Sequence, residues 1–347
     1  MLIHFILFLI AFAGTFYVMP HSILKLREAG YVAKDMYKSD LTLVPTNAGM
    51  IVLFISYISI ALLPLIVRLL NLFIPIEGEI SDLSQINLAF LLVVSIYAFY
   101  GLIDDLVDIG RKLKLVFPII FGYPLISLIN PSFIWIPFYG DYNLDYVIFE
   151  TITSGDIFRI IIIPIYIMVV ANLVNMHSGY NGLQSGLSII VISTLLFKSW
   201  LDGLELESLP AWAFLGSIMA FWFKNFYPAK VFEGNIGSLL FGSVIGCLIV
   251  IQEYWWFGFF ILIPHTFNFV LWMIWLILMK INPEKYIEVD GEHKKFGEVG
   301  KDGSLIVPNT LTLKWIPNYY LNITERTSTL IMYSLTTIFC LTSIIIF

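Results

Sequence analysis

Charge is what this sequence has least of. Only 13% of its 347 residues are Asp, Glu, Lys or Arg, while 59% are hydrophobic and the mean hydropathy is +0.88. Soluble domains carry about 25% charged residues, so a water-soluble globular fold is excluded and an all-α polytopic membrane protein remains. Cysteine is nearly missing. Cys247 and Cys340 lie in apolar runs with no CxxC or Cys/His spacing, which excludes a disulfide framework and a zinc site. Basic residues are outnumbered 19 to 25, for a net charge of −6, and so offer no basic footprint for nucleic acid. Internal repeats, low-complexity tracts and dividing linkers are also lacking, and residues 1–347 read as one domain.

What is present is a series of long apolar runs. A helix needs about 20 apolar residues to cross a bilayer. Ten candidate spans lie near 2–19, 49–75, 87–103, 114–130, 158–176, 186–200, 210–223, 236–251, 256–279 and 327–347. The first run has no basic stretch before it and no small-residue cleavage site, so it reads as a retained helix. When alternate loops are assigned to one side, that side collects sixteen of the nineteen basic residues. The other side keeps Arg68, Arg159 and Lys198 and is rich in acidic residues. The basic side is therefore expected to be cytoplasmic, with both termini outside and one larger cytoplasmic loop at about 280–326.

Polar groups beside membrane spans are costly and mark function by default. They fall in three clusters at ends on the cytoplasmic side. The first closes the third span with Asp104, Asp105 and Asp108, followed by Lys114. Asp104 and Asp108 share a helix face, and Asp105 lies about 100° round. Carboxylates this close serve either as a solvated helix end or as a site for a cation or a catalytic task. Lys114 suits either an interfacial anchor or a phosphate contact. In the second cluster, Asn172 and Asn175 share a face and run into His177, Gly179 and Asn181. An amide can bridge helices, ligate Mg²⁺ or read a base edge. His177, without a nucleophile or metal spacing beside it, reads as a hydrogen-bonded loop histidine. The third cluster, Lys224 to Ser238, ends in a Gly-rich helix start whose free N–H groups suit a phosphate. Together they suggest a site for Mg²⁺ and a polyphosphate beside lipid.

These residues carry a family resemblance. The strings GLIDDLVDI (101–109), KLVFP (114–118), NLVNMHSGYNGL (172–183), NFYPAKVFEGNIGS (225–238), IPHTFNF (263–269) and NTLTLKWIPNYYLNITER (309–326) occur in order. The chain resembles the polyprenyl-phosphate N-acetylhexosamine-1-phosphate transferases, a glycosyltransferase 4 type family. It looks closest to the archaeal and eukaryotic branch that acts on dolichyl phosphate with UDP-GlcNAc.

The resemblance implies a ten-helix fold with a cytoplasmic active site in the plasma membrane, or in the endoplasmic reticulum membrane of a eukaryote. The short extramembrane loops favour an archaeal plasma membrane. It also implies roles. Asp104 and Asp105 match the pair that handles the acceptor phosphate or organises the metal, and Lys114 matches the lysine on the donor pyrophosphate. Asn175 matches an amide ligand of Mg²⁺, for which Mn²⁺ can substitute, and Asn172 joins the substrate-binding set. Gly179, Asn181 and Phe232 match the uracil pocket, with Phe232 stacking and Asn181 bonding the base. His293, Lys294 and Lys295 lie where the sugar-recognition loop belongs. The implied partners are a UDP-N-acetylhexosamine, a polyprenyl phosphate and the bilayer, and there is room for a homodimer.

Two departures qualify this. The family's second metal-ligating aspartate, in a Gly-Asp-Thr or Gly-Asp-Ser string, is here Asn235, a neutral metal-ligand candidate. That leaves weaker Mg²⁺ binding, recruitment of Glu233 or lost activity as open readings. Met176-His177 stands where the bacterial peptidoglycan-precursor branch has Thr-Asp, which argues against that substrate. The implied reaction is attack by a polyprenyl phosphate oxygen on the β-phosphorus of the UDP-sugar, releasing UMP. The rival readings are an inactive regulatory member and a secondary transporter. A transporter would show mid-membrane ionisable groups or repeat symmetry.

Overall fold

The computed structural model describes residues 2–38, 40–72, 83–107, 109–283 and 296–347. They form a helical membrane protein. Eight helical stretches among them are long and apolar enough to cross a bilayer: Leu2–Glu28, Gly49–Asn71, Gln85–Val107, Ser154–Met176, Leu183–Leu201, Gly234–Ile251, Ile263–Ile281 and Glu325–Ile346. In chain order the elements are α1 (Leu2–Glu28), the ribbon β1 (Val32–Lys34) and β2 (Leu43–Pro45), α2 (Gly49–Ala61), α3 (Leu63–Asn71), α4 (Gln85–Val107), α5 (Arg111–Val116) and α6 (Tyr123–Ile126). Two antiparallel hairpins follow, β3 (Phe133–Ile136) with β4 (Gly140–Asn143) and β5 (Val147–Phe149) with β6 (Ile152–Thr153). Then come α7 (Ser154–Ile157), α8 (Ile163–Met176), α9 (Leu183–Leu201), α10 (Leu209–Asn225) and α11 (Gly234–Ile251). The chain ends with α12 (Trp255–Ile261), α13 (Ile263–Ile281), the short pair β7 (Glu298–Val299) and β8 (Leu305–Ile306), α14 (Trp315–Tyr320) and α15 (Glu325–Ile346).

Three expected spans take a different form. Near 114–130 the chain is not one helix. Prolines 118 and 124 divide it into α5, a tight 3-10 stretch Phe117–Gly122 and α6, because proline lacks an N–H and fits only the first turn of a helix. The segment still runs from the end of α4 to the hairpins at the far end of the bundle. Near 210–223, α10 has 17 residues. The span near 256–279 is two helices, α12 and α13, divided at Leu262 with Pro264 in the first turn of α13.

Helix α11 is the core. It is apolar on every face, the pattern of a helix surrounded by others, and every residue from Ile236 to Ile251 is buried. In lipid, helices gain little from hydrophobicity alone and associate by close packing over small residues. Four glycine contacts show this packing. A Cβ at Gly242 would lie 2.6 Å from the Ala171 Cα of α8, and one at Gly246 would lie 3.2 Å from the Ile167 Cα. A Cβ at Gly49 of α2 would meet the Gly237 nitrogen at 2.3 Å, and one at Gly101 of α4 the Asn235 carbonyl oxygen at 2.4 Å. Helices α2, α4 and α8 therefore touch α11 backbone to backbone, and α1 makes a similar contact where Gly216 of α10 admits the Phe8 carbonyl. A Gly242→Val substitution is expected to force α8 from α11 at a cost of about 1–3 kcal/mol. The readout is a lowered thermal midpoint in detergent, and a wild-type midpoint would show that this seam has slack.

Candidate active site

Helix α11 starts within the protein, where its first N–H groups need partners. Its own N-cap residue, Glu233, makes no side-chain cap. The partner comes from α4. The Asp105 carboxylate accepts from the Asn235 N–H at 3.0 Å and from the Ile236 N–H at 3.1 Å, one bond to each oxygen. The close approach at Gly101 makes this reach possible. Gly234, at φ +71°, turns the chain into the helix where a Cβ would lie 2.4 Å from Asn47 Oδ1 and 2.9 Å from Asp105 Oδ2. The helix start expected to hold a phosphate is thus already filled by Asp105.

Asp104, 6% exposed, faces differently from its neighbour, as their 100° offset requires. One of its oxygens accepts from Lys114 Nζ at 2.8 Å and from the Ile109 N–H at 2.9 Å. The other accepts from Asn235 Nδ2 at 2.9 Å. Two tyrosines of α4 put Lys114 in place: Tyr97 donates to the Pro118 carbonyl at 2.8 Å and Tyr100 to the Leu113 carbonyl at 3.0 Å. Asp104, Lys114 and Asn235, 131 positions apart at the extremes, thus form one hydrogen-bonded unit beside Asp105. Glu233 lies next to it and accepts from Asn225 Nδ2 at 3.0 Å, and withdrawal from solvent pushes its carboxyl up to about 7.

The second cluster flanks this unit. The contacts of Gly246 with Ile167 and of Gly242 with Ala171 set an antiparallel register, and one turn further it brings Asn175 opposite Ser238, near the start of α11. Gln184 supports the register by donating to the Val174 carbonyl at 3.0 Å while accepting from Ser238 Oγ at 2.8 Å. Asn172 donates back to the Met168 carbonyl of its own helix at 2.9 Å. Phe232 is partly buried, its backbone paired with Pro45 and Ala48. Asn181 is 2% exposed, and its amide is committed to the protein. Oδ1 accepts from the Ala229 N–H at 2.9 Å and from Lys38 Nζ at 3.3 Å, and Nδ2 donates to Asp35 at 3.1 Å. Its backbone N–H donates to Glu325 Oε1 at 2.5 Å, so any base held here by Asn181 would have to use its carbonyl or displace these bonds.

Reading the sequence missed the ionic group around Asn181. Lys38 pairs with Glu325 at 2.7 Å and with Asp35 at 3.4 Å, and both carboxylates are buried. The available signal was the polar string from Lys34 to Asp40 between two apolar helices. His177 is also not the hydrogen-bonded loop histidine expected. It is 1% exposed and packs edge-on against His265 with ring centroids 4.8 Å apart, and neither of its ring nitrogens has a partner among the described residues. Burial holds its imidazole well below the usual range. Asp108, His293, Lys294 and Lys295 lie outside the described residues.

No group of three or more His, Cys, Asp or Glu among the described residues could hold a metal. The oxygens near the start of α11 are those of Asn235 and of Asp104, which already accepts from Lys114, Ile109 and Asn235, and the helix register puts Asn175 nearby. That all-oxygen set suits a hard dication whose remaining ligands are water and substrate phosphate.

Asp105→Asn leaves one acceptor oxygen for two N–H groups and turns a donor toward the other. It is expected to cost about 1–3 kcal/mol, read as a lower thermal midpoint. An unchanged midpoint would show that α11 does not depend on this cap.

The glycosyl transferase family 4 model matches residues 87–253, the stretch holding Asp104, Asp105, Lys114, Asn175, Asn181 and Asn235. A Sulfolobus acidocaldarius protein, provisionally named a UDP-N-acetylglucosamine–dolichyl-phosphate N-acetylglucosaminephosphotransferase, is 33% identical over 196 residues, 54% of this chain and 56% of that one. A Saccharolobus solfataricus protein with the same provisional name is 29% identical over 269 residues, 76% of this chain and 74% of that one. A phospho-N-acetylmuramoyl-pentapeptide-transferase of Borreliella afzelii is 26% identical over 282 residues, covering 70% and 72%. The first match thus spans little more than half of its relative. Residues 87–253 are similar to the glycosyl transferase family 4 proteins.

Proposed function

We propose that the protein transfers an N-acetylhexosamine 1-phosphate, GlcNAc 1-phosphate in the first instance, from its UDP-sugar to a polyprenyl phosphate such as dolichyl phosphate. This would be the opening membrane step of lipid-linked glycan assembly for N-glycosylation. The observation that carries the reading is the Asp104–Lys114–Asn235 unit at the start of α11, within a stretch whose relatives are named for this transfer.

In the proposed reaction, a phosphate oxygen of the acceptor attacks the β-phosphorus. A new P–O bond forms, the bond from that phosphorus to the oxygen bridging to the α-phosphorus breaks, and UMP leaves with the bonding electrons. Such transfers depend on positioning and charge neutralisation. Lys114 is the cation for the diphosphate, and Asp104 holds it in place until substrate phosphate competes for it. Asp105 acts by fixing α11, which aims the Asn235 side chain. Mg²⁺ is the proposed cation, held by the oxygens of Asn175 and Asn235 and supplying further neutralisation of the diphosphate. The asymmetry of Lys and Arg between the two sides supports a cytoplasmic site and outward-facing termini in a plasma membrane.

Purified protein given UDP-GlcNAc and dolichyl phosphate is expected to release UMP only with a divalent cation present. Failure to release UMP with any UDP-sugar would favour an inactive family member, the reading that Asn235 keeps open. A separate check bears on the cation. Asn235→Asp puts a second carboxylate against Asp104, 2.9 Å from its oxygen, where like charges repel unless a cation lies between them. The variant's thermal midpoint is expected to fall below wild type in EDTA and to rise more steeply with Mg²⁺. A midpoint indifferent to Mg²⁺ would remove this position from the metal site.

A further inference from the structure

We propose that Lys314 is a positioning residue that sets the Ser178–Asn181 loop for the nucleotide, an inference that rests on the reading just given. The loop follows α8 and is exposed at Gly179. Lys314 comes from beyond the opposite side of the sequence, just before α14, and runs beneath it. Its Nζ donates to the Ser178 carbonyl at 2.5 Å and lies 4.9 Å from the centre of the Tyr180 ring and 5.6 Å from that of Tyr37. Gly179 has φ +102°, and a Cβ there would lie 2.3 Å from that same nitrogen. Lysine and glycine fit each other, because the one occupies the space that the other leaves open.

The lysine is itself firmly held. Its carbonyl accepts from Ser328 Oγ of α15 at 2.8 Å. One residue earlier, the Leu313 N–H donates to Asn268 Oδ1 of α13 at 3.0 Å, and Asn268 Nδ2 donates to the Met176 carbonyl at the base of the loop at 3.2 Å. Tyr180 is fixed from the same segment by a 2.9 Å bond to Asn318 Oδ1. Segment 312–318 therefore meets the loop directly at the Ser178 carbonyl and the Tyr180 hydroxyl, and through Asn268 at the Met176 carbonyl.

Packing alone does not explain a lysine here. Lys314 is partly buried, and withdrawing an ammonium from water is costly to that extent unless a carboxylate pairs with it; among the described residues none lies within 4.0 Å of it. Glu325 acts on it from farther away, His177 beside it is held neutral by burial, and desolvation lowers the ammonium to about 8. A methionine would fill the same space at less cost. What the lysine adds is a charge-assisted bond to one loop carbonyl and a positive charge behind the exposed backbone of Gly179, which favours the oxygen-rich faces of a uridine nucleotide.

The test uses the full-length protein in detergent. UMP binding is measured by calorimetry, KM and kcat for UDP-GlcNAc are measured at saturating dolichyl phosphate, and thermal midpoints are recorded for wild type and Lys314→Met. The expected result is about tenfold weaker UMP binding and a matching rise in KM, as the loss of one charge-assisted bond implies. The kcat is expected to stay within about threefold, and the midpoint to be unchanged or higher. Gly179→Ala, which drives a methyl into the ammonium, is expected to weaken UMP binding in the same way. Lys314→Met binding UMP as wild type does, with or without a lowered midpoint, overturns the positioning role alone. Wild type that binds no UMP overturns the nucleotide reading, and the positioning role with it.

Discussion

The structure depends on how helix α11 begins. A helix start inside a membrane protein carries unmet N–H groups and the positive end of a dipole, and little water is present to satisfy either. Here a carboxylate from α4 meets two of those groups, and glycine removes the side chains that would have kept the two helices apart. Helices α2, α4 and α8 then pack against α11 backbone to backbone, and the residues on their ends converge. The same contact that stabilises the core brings Asp104, Lys114 and Asn235 within bonding distance.

A chain this poor in charge has concentrated it. At the site end, one unit joins Asp104 to Lys114, and a second surrounds Asn181 with Lys38, Asp35 and Glu325. The second carries one more negative than positive charge. Buried charges contribute little to stability when paired and are costly to leave unpaired. Their value is in determining one arrangement of loops that have no regular hydrogen-bonding ladder of their own.

The sequence showed more of the candidate residues than of the bonds between them. Apolar runs located the helices, and the rarity of polar residues beside them singled out Asp104, Asp105, Lys114 and Asn175, while Asn235 stood out only through the family resemblance. Helical periodicity gives faces, so it separated Asp104 from Asp105. It does not name partners, and so it could not show that one binds a lysine while the other caps a distant helix. The Lys38–Glu325 pair spans 287 positions and the contact from the Asn181 N–H to Glu325 spans 144, separations at which no local pattern carries a signal. The broken segment at 114–130 misled for a related reason. Its composition suits a span, but Pro118 and Pro124 decide its shape, and the carbonyl of Pro118 accepts a bond from Tyr97.

The network at Asn181 joins a residue before α2, a loop in the middle of the chain and the first turn of α15. During synthesis the early and middle pieces reach the membrane well before Glu325 is made. For that interval Lys38 and the Asn181 N–H are without Glu325. Closing the ring therefore has to wait for α15. A chain stalled before α15 would carry the Asp104–Lys114 pair but lack the Glu325 contacts to Lys38 and to the Asn181 N–H.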